Sequence, residues 1–98
     1  MKNLKSNKGT KKQRATFSIN LSDAKEVYLV GSFNNWNQKK HPMHKKENAI
    51  WEKTVMIPPG VYEYKFLVDG QWKEDPKSCL TCENCFGTKN SIFDFTRT

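Results

Sequence analysis

Asp69-Gly70 stands between an alternating apolar run, ValTyrGluTyrLysPheLeuVal, and the segment GlnTrpLysGlu; no other feature limits the folding of this chain as strongly. Asp-Gly suits the two positive-φ positions of a type I′ turn, so it predicts a tight β-hairpin over residues 61–74. The turn also sets the register, with Val68 opposite Gln71, Leu67 opposite Trp72 and Lys65 opposite Glu74. Opposed residues share a face, and successive residues of a strand alternate between faces. Tyr62, Tyr64, Phe66 and Val68 therefore form the core side, while Glu63, Lys65, Leu67 and Trp72 point the other way. An indole directed away from the core is a candidate binding surface.

The remaining pattern is also one of short strands divided by turn chemistry, without a 3.6-residue apolar stripe. AlaThrPheSerIleAsn (15–20) and GluValTyrLeuValGlySer (26–32) read as the first two strands. IleTrpGluLysThrValMetIle (50–57) reads as a third, ended by Pro58-Pro59-Gly60. SerIlePheAspPheThr (91–96) is the last. Residues 33 to about 48 are expected to form a loop with at most one short extended piece, and residues 75–89 a second loop. Such spacing predicts an all-β sandwich or small barrel. With 98 residues, one two-layer core is attainable, whereas a (β/α)₈ barrel needs about 250 residues.

The formal net charge of +7 belongs to one end of the chain. Lys2, Lys5, Lys8, Lys11, Lys12 and Arg14 occur with no acid among them, whereas residues 15–98 carry eleven Lys and Arg against ten Asp and Glu. Residues 1–13 are therefore expected to be a disordered basic leader, and residues 14–98 the folded domain. A nearly neutral domain argues against a specific nucleic-acid interface. No apolar run has the length of a signal-peptide core or of a membrane span, so a cytoplasmic protein with no membrane partner is expected. Cys79, Cys82 and Cys85 would then be reduced thiols.

Trp51 is in phase with Val55 and Ile57 and reads as a core residue. Trp36 follows GlySerPheAsnAsn in a polar loop and, like Trp72, reads as ligand-facing. A glucose ring offers a C–H face that stacks on an aromatic plane and a rim of hydroxyls that suits Asn, Thr and Lys. Lys65, Asn35, Thr88 and Asn90 supply such groups.

The ordered set GluValTyrLeuValGlySerPheAsnAsnTrp, ProProGlyValTyrGluTyrLysPheLeuValAspGlyGlnTrp and PheGlyThrLysAsnSerIle resembles the glycogen-binding domain of the AMP-activated protein kinase beta subunit. It equally resembles the isoamylase N-terminal domains of carbohydrate-binding module family 48. The likeness spans about residues 14–96. It implies an immunoglobulin-like β-sandwich of the early-set type that binds α-1,4-linked glucans such as glycogen, starch or cyclodextrin, without catalysis and without a cofactor. It also implies that Trp36 and Trp72 stack on sugar, that Lys65 donates to it, and that Phe86, Thr88 and Asn90 complete the site. A possible partner is a glycan-processing enzyme. The alternative is an accessory or docking domain of a glycogen-active enzyme or kinase-like complex, with no strong sugar binding of its own.

No nucleophile, base and orienting group cluster in these motifs, which disfavours catalysis. The departure from the family is SerCysLeuThrCysGluAsnCysPhe, a CxxCxxC run. Cys79, Cys82 and Cys85 supply three thiols where a closed structural zinc site takes four ligands, so they are weak metal candidates.

Overall fold

The computed structural model describes residues 11–78, 80–83 and 88–96. The strands are β1 (Gln13–Asn20), β2 (Val27–Gly31), β3 (His44–Lys45), β4 (Ile50–Ile57), β5 (Val61–Val68), β6 (Gln71–Lys73), β7 (Thr81–Glu83) and β8 (Lys89–Asp94). They form two antiparallel sheets, one ordered β1-β4-β3 and the other β2-β5-β8-β7, with β6 also paired to β5. This is the all-β sandwich expected from the strand spacing. Among the described residues no helix is long and apolar enough to cross a membrane.

Alternation makes each strand two-faced. Ala15, Phe17 and Ile19 of β1 and Trp51, Val55 and Ile57 of β4 meet Val27 and Leu29 of β2 and Tyr64 and Phe66 of β5 in one core. On the opposite side of the first sheet, Thr16 and Thr54 are paired across β1 and β4 and share a hydroxyl hydrogen bond of 2.8 Å. Phe17 sits centrally, with its ring 4.9 Å from those of Tyr64 and Phe93 in edge-to-face contact. Trp51 is buried as expected, and its indole N–H donates to the Leu21 carbonyl at 3.1 Å.

The hairpin has the anticipated turn. Asp69 and Gly70 both have positive φ, 48° and 84°, and the register runs Val68↔Gln71, Leu67↔Trp72, Phe66↔Lys73. Asp69 does more than tolerate the left-handed region. Its carboxylate accepts the backbone N–H groups of Lys25 at 3.0 Å and Glu26 at 2.8 Å, tying the turn to the entry of β2.

Two expectations need correction. Residues 75–89 are not simply a loop: Thr81–Glu83 forms β7, paired to β8 through Thr81↔Ser91, Cys82↔Asn90 and Glu83↔Lys89. Three residues carry too little alternation to announce a strand, and it is the exposed edge of β8 that supplies the pairing. At the other end, Gln13 already belongs to β1, opposite Ile57, although the expected leader included it. Residues 1–10 of that leader lie outside the described residues.

Loop 75–78 is anchored beneath the second sheet. Asp75 is buried, accepts the Tyr64 hydroxyl at 2.6 Å and donates its N–H to Ser91 at 3.0 Å. Burial, and then this carboxylate, push the Tyr64 phenol well above its ordinary value.

Candidate functional site

The outer face of the second sheet follows from the register. Tyr28, Leu67 and Trp72 form one cross-strand row, and Val30 opposes Lys65 in the next. Asn90, Ile92 and Cys82 share this face on β8 and β7, because Tyr64↔Ser91 and Glu63↔Ile92 fix the phase. Trp72 is 46% exposed and Trp36 37%. Both indoles are therefore open to solvent on a folded scaffold.

Trp36 is delivered by a tight turn that explains the order of residues in GlySerPheAsnAsnTrp. Gly31 has extended backbone, and its role is space: an added Cβ would lie 2.6 Å from the Glu63 carbonyl oxygen and 2.9 Å from Tyr64 Cβ. Phe33 turns inward against Phe17 and Tyr62. Asn34 is 5% exposed. Its Oδ1 accepts the Gly31 N–H at 3.1 Å, while its Nδ2 donates to the Leu29 carbonyl at 3.1 Å and meets His41 Nδ1 at 2.8 Å. Asn35 and Trp36 then both take φ of 57°. A bulky residue in that region costs about 1–3 kcal/mol and persists where surrounding structure enforces it, commonly at functional sites. Here the Trp36 N–H donates to the Gly31 carbonyl at 2.9 Å, closing the turn.

Because Asn34 presents an N–H to His41 Nδ1, that ring nitrogen accepts, and the imidazole is neutral with its proton on Nε2. Burial, then Lys53 and Lys40, lower the His41 pKa from 6.5. A base whose pKa is lowered by folding contributes stability that is complete above its unfolded value and lost as pH falls through the folded one. Urea melts at pH 7 and pH 5 are expected to show a loss at pH 5 that is smaller in His41→Gln, whose amide oxygen still accepts from Asn34. An equal loss in both proteins would mean that His41 does not contribute.

Lys65 lies on the outward face that strand alternation predicts. It is nonetheless only 7% exposed, which alternation alone does not foretell, and donates to Thr88 Oγ1 at 3.0 Å. The neighbouring strands cover the stem, and the ammonium reaches diagonally across the sheet. Asn90 is similarly enclosed, at 5% exposure, and its Nδ2 donates to Glu63 Oε1 at 2.9 Å. Lys65, Thr88 and Asn90 are thus gathered on the face that carries Trp72. Phe86 lies outside the described residues, as do Cys79 and Cys85. Cys82 is a half-buried free thiol that burial and the hydrogen-bonded Glu63 carboxylate push above its ordinary pKa. Among the described residues no three metal-binding side chains come together.

Two residues central to this geometry were not singled out from the sequence. Asn34 had the same residue type as its neighbour Asn35, and only its burial distinguishes a clamp from an exposed amide. Glu63 was placed on the outward face by alternation, but its pairing with Asn90 depends on which strand lies beside β5.

Residues 14–97 match the family profile described as the glycogen recognition site of AMP-activated protein kinase. The chain is similar to the 5'-AMP-activated protein kinase subunit beta-1 of Rattus norvegicus, with 42% identity over 76% of this chain and 26% of that protein. It is also similar to the chloroplastic protein PTST homolog 2 of Arabidopsis thaliana, with 47% identity over 56% of this chain and 10% of that protein. A third relative is the chloroplastic protein FLOURY ENDOSPERM 6 of Oryza sativa subsp. japonica, at 34% identity over 85% of this chain and 15% of the relative. The chain spans about a quarter or less of each of these relatives.

Proposed function

The chain belongs to the family of the glycogen recognition site of AMP-activated protein kinase, a non-catalytic carbohydrate-binding module, and from that premise we propose that it holds α-1,4-linked glucose chains against the outer face of its second sheet. Trp36 and Trp72 stack on the apolar faces of glucose units. Lys65, Thr88 and Asn90 engage the hydroxyl rim, and the resemblance adds Phe86, which lies outside the described residues. The observation that carries this reading is the presence of two solvent-open indoles on one scaffold with Lys65 and Thr88 already hydrogen-bonded on the same sheet face.

Discrete stacking platforms enclose little of their ligand, so one contact with a short oligosaccharide is weak, with Kd of about micromolar to millimolar. A glycogen or starch surface repeats the epitope, and avidity supplies the rest when the module is carried by a larger assembly. A glycan-processing enzyme is the partner such a module serves, since tethering raises the enzyme's concentration at its polymer. The kinship with isoamylase-type modules belongs to the same proposal and rests on the motif residues.

The test is a titration of β-cyclodextrin into the protein followed by amide NMR shifts. Saturable shifts clustered at Trp36, Lys65, Trp72, Thr88 and Asn90 are expected. A folded protein whose spectrum is unchanged at millimolar ligand would overturn the reading, and shifts confined to the β1-β4-β3 sheet would relocate the site.

A further inference from the structure

We infer that Glu63 is a positioning residue of the glucan face, which holds the side-chain amide of Asn90 in one of its two possible flips. The inference rests on the proposed glucan reading for its consequence, but its geometry stands on two contacts. The Asn90 amide nitrogen donates to Glu63 Oε1 at 2.9 Å. The Glu63 backbone N–H donates to Ser32 Oγ at 3.1 Å, one residue after Gly31 in the turn that delivers Trp36. Glu63 is thereby bound on one side to the Trp36 turn and on the other to Asn90.

An ionised carboxylate only accepts hydrogen bonds, whereas an Asn side chain has an accepting end and a donating end of nearly equal size. Facing Glu63, the amide is therefore compelled to turn its nitrogen inward, and its oxygen is held on the opposite side. A neutral residue at position 63 that both donates and accepts imposes this choice weakly, and an aliphatic one not at all. The contact is diagonal, since Ile92 is the residue directly opposite Glu63. Lys65 to Thr88 is a second contact in the same slant, two residues further along β5. Thr88, which precedes β8, and Asn90 within it are thus each held by a charged residue of β5, a cation for the hydroxyl and an anion for the amide. A sugar hydroxyl meeting Asn90 encounters an amide whose polarity is fixed before the ligand arrives, which lowers the cost of ordering it.

The experiment uses β-cyclodextrin as the probe and the whole chain. Glu63→Ala is expected to weaken binding about tenfold, in keeping with loss of a hydrogen bond to a charged group. Glu63→Gln, which keeps an acceptor oxygen at the same reach but imposes the flip only weakly, is expected to recover only part of that loss. In a cycle with Asn90→Ala, the double variant should bind no more weakly than Asn90→Ala alone, because Glu63 acts through that amide. Additive losses would overturn the inference by showing that Glu63 acts independently, and unchanged affinity in Glu63→Ala with ligand binding intact would overturn it as well. The two Asn90 side-chain NH₂ resonances give a readout that needs no sugar. In the wild type they are expected to be widely separated, with one proton bonded to the carboxylate, and to converge in Glu63→Ala. Resonances that do not move would overturn the positioning role even if β-cyclodextrin binds. Shifted resonances in a protein that ignores β-cyclodextrin would overturn the glucan reading and, with it, the consequence drawn here.

Discussion

Trp72→Ala is expected to lower the affinity for β-cyclodextrin by about 30-fold or more while leaving the melting temperature nearly unchanged. The indole is 46% exposed and opposes Leu67 on the outer face, so removing it deletes little of the core. A cross-strand pair of this kind contributes about 0.2–1 kcal/mol to the sheet. Stacking is another matter, because the ring covers an apolar sugar face that water would otherwise wet. Area burial and ring contact together amount to about 2 kcal/mol, which corresponds to about 30-fold in Kd. For a site near the millimolar end of that scale, the loss takes binding out of calorimetric range, and for one near the micromolar end it remains measurable. Calorimetry and a thermal melt on the same preparations decide the matter. Affinity retained within about twofold would remove Trp72 from the site, and a collapsed melting temperature would assign the residue to the fold.

Asn34→Ala is expected to have the opposite profile, with a large loss of stability of about 2–4 kcal/mol and a loss of sugar binding that follows from it. Asn34 contacts Gly31, Leu29 and His41 from a buried position. Its removal strands the Gly31 N–H and the His41 ring, neither of which alanine satisfies. It also frees the two left-handed residues Asn35 and Trp36, whose conformation relaxes once the clamp is gone. Urea denaturation measures the first effect, and the Trp36 indole resonance, expected to shift toward its unfolded position, the second. A variant as stable as the wild type would show that the turn is held by the Trp36 to Gly31 backbone bond alone.

How far the sequence foretold this site varies with the physical origin of each feature. The hairpin was legible because Asp69-Gly70 encodes its own dihedrals, and the outward direction of Trp72 follows from that register. Strand β4 appears over the residues expected, Ile50–Ile57, because its alternation is long and Pro58 stops it. The burial of Lys65 was not legible, since it arises from strands that arrive from elsewhere in the chain. The same is true of β7, which exists through its partner, and of the Glu63–Asn90 contact, which joins residues 27 apart in sequence. Local chemistry was readable, while contacts made between strands became visible only once the sheet order was known.

Strand β5 lies between β2 on one side and β6 and β8 on the other, and it carries Phe66 and Tyr64 into the core while presenting Lys65, Glu63 and Leu67 outward. A backbone hydrogen-bonded along both edges and seated on a packed core is among the last parts of a fold to open. The groups proposed to face the sugar therefore inherit the rigidity of the interior. A ligand meeting them need not recruit a disordered loop into shape, and its translational freedom is the main entropy surrendered on contact. The same strand that closes the hydrophobic core thus gives a shallow, solvent-washed surface the constancy of form needed to engage one repeating polymer unit after another.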